Sequence, residues 1–168
     1  MPSTRALTAA AVVLAGALAG CGSDAEDSPD LGGSWTATLE PTATWNAVYP
    51  RGTGTAKVSS SDGTSVELTV TGLGPSVEYT AHVHDGECDE DPPGGGHWMS
   101  DPNGEDAAGN IIELTFTTSD TGVGDTTVSA PLMLDDRAES VVVHAPQALT
   151  DSEGLDADRV LCGDLEDG

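Results

Sequence analysis

Positive charge is nearly missing from this sequence: its 168 residues hold five Lys and Arg together against 29 Asp and Glu, a formal net charge of −24. So acidic a chain is repelled by phosphate backbones and anionic headgroups, which excludes nucleic acid and an anionic membrane surface as partners. Aromatic residues are scarce at 4%, while Gly, Thr, Ser and Val are abundant, a composition of short strands joined by tight turns rather than of helices. Long apolar runs are absent too. The longest apolar stretch, over residues 7–20, falls short of the roughly 20 residues a membrane-spanning helix needs. The length suits one domain with a single core.

What that apolar stretch does provide is a targeting segment. Arg5 supplies its positive start and small residues precede Cys21, the pattern of a signal peptide over residues 1–20. Leu18-Ala19-Gly20-Cys21 resembles a bacterial lipobox, in which Cys21 is acylated and becomes the first mature residue; the alternative is an ordinary signal peptide cut elsewhere. Acyl chains would hold the protein on a membrane, with residues 21–33 as an acidic flexible tether to a domain over 34–168. Cleavage removes only Arg5 from the charged residues, so the mature domain is slightly more acidic still. The expected location is outside the cytoplasm, on the outer face of the bacterial membrane or in the periplasm.

Cysteine is also rare, with three in the chain. With Cys21 assigned to lipid, Cys88 and Cys162 form the remaining pair, and an exported protein meets oxidising conditions that favour a disulfide. Metal ligation by these two is the weaker alternative, since neither has a C-x-x-C neighbour.

Period-two alternation and β-branched residues mark strands over residues 34–40, 53–59, 64–71, 77–84, 111–119, 124–130, 140–144 and 159–162. Asp62-Gly63, Gly72-Leu73-Gly74-Pro75 and Thr121-Gly122 supply turns between them. Residues 44–49 read as a further short strand or an insertion, and no stretch carries a helical period. About eight antiparallel strands in a chain of this size predict an all-β Greek-key sandwich or flattened barrel. Residues 85–110 stand apart: rich in acidic residues, Pro and Gly and almost without aliphatic side chains, they form a long loop rather than a core strand.

Four histidines exist in the chain: His82, His84, His97 and His144. In Ala81-His82-Val83-His84 the spacing of two sets both imidazoles on one face of a strand and Val83 on the other. His97 follows three glycines in the long loop, and His144 ends the apolar run Val141-Val142-Val143. Each alone reads as a solvated or satisfied side chain. Together, with none left over, four imidazoles suit copper or zinc and exclude hard cations.

The order of landmarks resembles the copper/zinc superoxide dismutases: Gly72-Leu73, His82-Val83-His84, Gly86 and Cys88, Gly96-His97, Val142-Val143-His144-Ala145, then Arg159-Val160-Leu161-Cys162-Gly163. The resemblance covers about residues 34–165. It implies a β-sandwich, dismutation of superoxide to dioxygen and peroxide, and copper held by His82, His84 and His144, with His97 in the place of the histidine that bridges copper and zinc. It further implies a Cys88–Cys162 disulfide, and a role for Arg159 in drawing in the superoxide anion.

Two departures qualify that picture. The family's zinc site needs two more histidines and an aspartate, yet no histidine lies between His97 and His144; Asp101, Glu105 and Asp106 with one imidazole would hold zinc weakly. One copper per chain and no zinc is the expectation. The segment 145–158, in the place of the family's electrostatic loop, contains no Lys or Arg and carries Asp151, Glu153, Asp156 and Asp158, so the usual positive funnel is missing. The rival reading is a copper-binding or copper-delivery lipoprotein of the same fold with little turnover, supported by the acidic loop and by His97-Trp98-Met99, whose indole and thioether can favour cuprous copper. A purely structural domain with vestigial histidines fits poorly, since all four ligand positions and Arg159 are present.

Overall fold

The computed structural model describes residues 32–168; the signal segment, Cys21 and all but the end of the tether lie outside the described residues. Strict alternation of exposed and buried side chains is carried through β2 (Thr53–Ser60) and β3 (Thr64–Thr71), as a half-buried strand demands. These pair with β1 (Gly33–Pro41) on one side and β6 (Gly124–Ala130) on the other. The second layer consists of β4 (Glu78–His84), β5 (Glu113–Thr117), β7 (Ser140–His144) and β8 (Arg159–Asp164). All pairings are antiparallel, in the order β5-β4-β7-β8-β1-β2-β3-β6, with the short β9 (Glu166–Asp167) beside β1. β1 joins the layers, because Glu40 and Pro41 leave β2 and pair with Cys162 and Leu161 of β8. The result is a nearly closed barrel whose connections β3–β4, β5–β6 and β6–β7 cross between layers in Greek-key fashion.

Leu39, Val58, Val66, Leu68, Tyr79, Val83, Leu114, Val143 and Leu161 fill the interior, each buried aliphatic contributing about 1.5–3 kcal/mol. Tyr79, Ala81 and Val83 of β4 and Val141 and Val143 of β7 point into this core. The intervening residues of both strands therefore face outward. Yet β7 is buried along its whole length, because the loop 85–110 lies over the outer face of this layer.

The loop is pinned by a disulfide between Cys88 and Cys162, Cα atoms 5.7 Å apart and 74 residues apart in sequence. Closing so long a loop in the unfolded chain is worth about 4 kcal/mol on the chain-entropy model. Ser140 adds a hydrogen bond of 2.8 Å to the Gly86 carbonyl, and the Cys88 amide donates to Asp164 at 2.7 Å.

Two segments differ from the sequence expectation. Residues 44–49 form no strand: turns run over 43–48, with the Tyr49 amide bonded to the Trp45 carbonyl at 2.9 Å. Trp45 is buried there and donates its indole N–H to the Ala157 carbonyl at 2.8 Å. A helix, α1 (Gln147–Glu153), occupies the segment in which no helical period was evident. Pro146 starts it with an extended backbone, Gly154 ends it in the left-handed region at φ 71°, and Thr150 is its one buried residue. Seven residues with so little apolar face carry no readable period.

Candidate metal centre

Outward-facing positions of β4 and β7 build the site. The register sets His82 opposite Val142, His84 opposite Ser140 and Thr80 opposite His144, so His82, His84 and His144 share the outer face. His97 arrives from the loop, making a single bridge to His84. One ligand-type nitrogen from each of the four lies within 4.8 Å of the others. His82, His84 and His144 are buried, while His97 is partly exposed.

Each imidazole spends its outer nitrogen on an acceptor. His82 Nε2 lies 3.3 Å from Glu113, His84 Nδ1 3.2 Å from the Gly94 carbonyl, His97 Nδ1 2.9 Å from Asp106, and His144 Nδ1 3.3 Å from Asp158. Acceptors at those positions hold the protons there and leave the inner nitrogens as lone pairs. Two of these, His84 Nε2 and His144 Nε2, face each other at 3.1 Å, and His82 Nδ1 is buried without any partner, the one such side-chain atom among the described residues. Buried lone pairs confronting one another are costly unless something electron-poor lies between them. The donor set therefore fits a metal of imidazole preference such as copper.

Burial, then the neighbouring His97 and His144, push the pKa of His82 down to about 4 against the pull of Glu113. Burial and the same crowding, with Arg159 adding repulsion, take His84 down to about 2. Both are therefore neutral bases with a lone pair to offer at physiological pH. The hydrogen bond from His144 holds the Asp158 carboxyl below its usual range despite some burial.

Arg159 stands opposite His144 through an irregularity in the β7–β8 ladder: Val143 pairs with Leu161 and His144 with Arg159, leaving Val160 as the extra residue of a bulge. Its guanidinium donates to the Pro93 carbonyl. Asp151 and Glu153 sit exposed on α1, and Asp156 and Asp158 follow it, exposed, toward the site. The indole of Trp98 is buried in the apolar core and donates to Asp135 at 2.9 Å. It is committed to packing, which does not support the expected role in softening the site toward cuprous copper. Asp101 is hydrogen-bonded to the backbone of its own loop through Asn103 at 3.0 Å, and of the three acidic candidates Asp106 alone meets His97.

Glu113, Asp135 and Arg137 went unnoticed in the sequence. Glu113 occupies an exposed position of an alternating strand, and only the β4–β5 register, which pairs it with His82, distinguishes it from a solvated charge.

No protein-family model and no curated protein matches the chain. Solved structures do. A double mutant of a superoxide dismutase-like protein from Bacillus subtilis superposes with a TM-score of 0.54 at 19% identity, over 77% of this chain and 95% of that one. The copper/zinc superoxide dismutase from Brucella abortus superposes with a TM-score of 0.52 at 20% identity, over 79% and 99%. The fold is that of the copper/zinc superoxide dismutases. On this barrel, His82, His84 and His144 share the outer face of one layer, and the disulfide-pinned loop that covers it brings His97 to them.

Proposed function

We propose that this chain is a copper-dependent superoxide dismutase that works outside the cytoplasm, tethered to the membrane through an acylated Cys21. The observation that carries the reading is the buried, unpartnered Nδ1 of His82 aimed into a set of three further imidazoles. His82, His84, His97 and His144 would hold one copper ion. When bound, copper supplies one-electron redox chemistry, by which one superoxide is oxidised to dioxygen and a second, with two protons, is reduced to hydrogen peroxide.

The chain's own residues prepare that chemistry. Arg159, restrained by its bond to Pro93, keeps guanidinium N–H groups available to orient a small anion beside His144. His97 is the most exposed of the four, so its Nε2, when not engaged in holding the copper, would be placed to carry a proton from solvent to reduced substrate, while Asp106 holds the other proton at Nδ1. With Asp106 at that nitrogen, the position a zinc ion takes in the two-metal enzymes is served by a hydrogen bond, which supports the copper-only reading.

A second reading is favoured by the field around the site. Glu113, Asp106 and Asp158 are each about half exposed and ring the imidazoles with negative charge, an arrangement that attracts cupric ions and suits carriage of copper with little turnover.

Elemental analysis of the mature chain after exposure to both metals, followed by superoxide consumption before and after copper loading, tests both readings. One equivalent of copper, substoichiometric zinc and consumption that appears with copper is the expected result. Tight copper without consumption establishes the carrier, and a full equivalent of zinc beside copper overturns the copper-only site. Membrane attachment is checked by incorporation of labelled palmitate, expected in the parent chain and absent in Cys21→Ala.

A further inference from the structure

Three of the four imidazoles are set by the ladder of β4 and β7, and His97 alone depends on a loop. Upstream, Gly94 and Gly95, with φ of +85° and +59°, and Gly96 are held through the backbone alone, the Asp85 amide donating to the Gly96 carbonyl at 3.0 Å. Downstream, side chains join the backbone in holding the chain. The Trp98 amide donates to the carbonyl of Val83, the residue between His82 and His84, at 2.9 Å. Its indole, fully buried, donates to Asp135 Oδ1 at 2.9 Å. Asp135, itself buried, receives Arg137 through the backbone amide at 3.2 Å and through Nε and Nη2 at 2.9 and 2.7 Å. Arg137 Nη2 then returns to the Met99 carbonyl at 3.0 Å, and its guanidinium lies 5.7 Å from the centre of the Trp98 ring. The two residues after His97 are thus closed into a circuit with the connection that leads into β7, the strand of His144.

Packing alone does not require such a circuit. A buried carboxylate is costly to desolvate, and apolar residues of similar volume usually serve stability as well or better. What the circuit adds is direction, because an indole N–H and a forked guanidinium restrict angle as well as distance. We infer that Asp135 and Arg137, acting through Trp98 and Met99, are positioning residues that fix the angle and depth at which the His97 imidazole enters the four-histidine site. The inference rests on the copper site proposed above for its consequence in the metal-bound protein, while the clamp itself is a property of the polypeptide.

Trp98→Phe, which keeps a ring and loses the N–H, and Asp135→Asn, which keeps an acceptor and loses the charge, are compared with Arg137→Lys as the conservative variant. Val66→Ala, in β3 of the opposite layer, controls for general loss of stability. In the metal-free proteins, amide hydrogen exchange of His97, Trp98 and Met99 should accelerate at least tenfold in Trp98→Phe and Asp135→Asn, less in Arg137→Lys, and no more than globally in Val66→Ala. In the copper-loaded proteins, the cupric electron paramagnetic resonance spectrum should move toward that of His97→Ala, with copper affinity lower by about 10-fold, the lower end of the range for loss of a ligand's supporting partner. Val66→Ala should leave the spectrum unchanged. Parent-like exchange at residues 97–99, or a parent-like spectrum beside accelerated exchange, overturns the positioning role. Should Asp135→Asn fail to fold, Trp98→Phe decides. A parent chain that takes up no copper refutes the proposed function, and the exchange measurement then still decides whether the clamp holds His97.

Discussion

Glu113 and His82 are direct cross-strand partners, and the carboxylate lies 3.3 Å from Nε2, which leaves Nδ1 as the nitrogen that faces the site. The choice of ring nitrogen is therefore made on the neighbouring strand. Glu113→Ala should weaken copper binding by about 10- to 100-fold while the barrel stays folded, and Glu113→Gln, which can still accept a hydrogen bond, should weaken it less. Competition with a chelator of known affinity measures the difference. Equal affinity in parent and Glu113→Ala would mean that burial alone fixes the His82 tautomer.

Gly94 gives the same service to His84 with its carbonyl, at φ +85° and with no room for a side chain. A Cβ there would meet Val142 Cγ2 at 2.6 Å, Ser140 Oγ at 3.1 Å and His84 Nδ1 at 3.4 Å. Gly94→Ala should displace the carbonyl from His84 and lose copper at least as severely as Glu113→Ala, with strain of about 1–3 kcal/mol from the left-handed backbone. Copper titration and urea denaturation read the two effects. Normal copper binding in Gly94→Ala would show that the loop shifts freely over β7.

Asp135 supplies a pH signature that does not involve the ligands. Its burial would raise the carboxyl pKa, but hydrogen bonds from Arg137 and Trp98 outweigh that and lower it. The folded chain then binds this proton less readily than the unfolded chain, so the stabilisation is complete above the usual aspartate range and is lost as pH falls through the folded value. Asp135→Asn should cost about 2 kcal/mol at neutral pH. The gap from the parent should narrow once pH drops below about 4. Urea denaturation of the metal-free proteins at several pH values checks this; a gap that stays constant with pH would show that charge plays no part.

Arg159 is the cation next to the histidines, whereas Arg137 is already paired with Asp135 at 2.7 Å. Beyond the Debye length of about 8 Å, a superoxide anion meets a field dominated by carboxylates. Its bimolecular rate constant with the copper-loaded protein should stay flat or rise between low and moderate salt. Arg159→Ala should lower it at every salt concentration. Pulse radiolysis across an ionic-strength series tests both parts, and a rate that falls steeply with salt would contradict this placement of charge.

Most of the barrel was legible because its strands alternate: 64–71 and 124–130 were read to the residue, and 53–59 to within one. Strand ends under the loop were less clear, since 111–119 shrinks to Glu113–Thr117; Ile111 and Ile112 are buried but lie outside the ladder. The histidine set could be read from type and spacing, and the Cys88–Cys162 pair from the small number of cysteines and the family resemblance. The groups that orient the imidazoles could not. Glu113 depends on a register between two strands, Gly94 acts through a carbonyl that no side chain signals, and Asp135 lies 37 residues from the indole it binds. Such contacts are products of tertiary packing. They leave no local period or motif.

The bulge at Val160 carries a consequence of parity. Along an uninterrupted ladder, His144 would face Val160, and the side chain beside the imidazole would be a hydrocarbon. One supernumerary residue reverses odd and even for what precedes it, which sets Arg159 opposite His144 in the register, and Asp158, one step earlier, lies 3.3 Å from Nδ1 of that ring. The register position of Arg159 opposite His144 is thus set by a count of residues rather than by their kind. Deleting Val160 would make the ladder regular and keep Arg159 opposite His144, whereas deleting Arg159 would set Val160 there while altering no histidine.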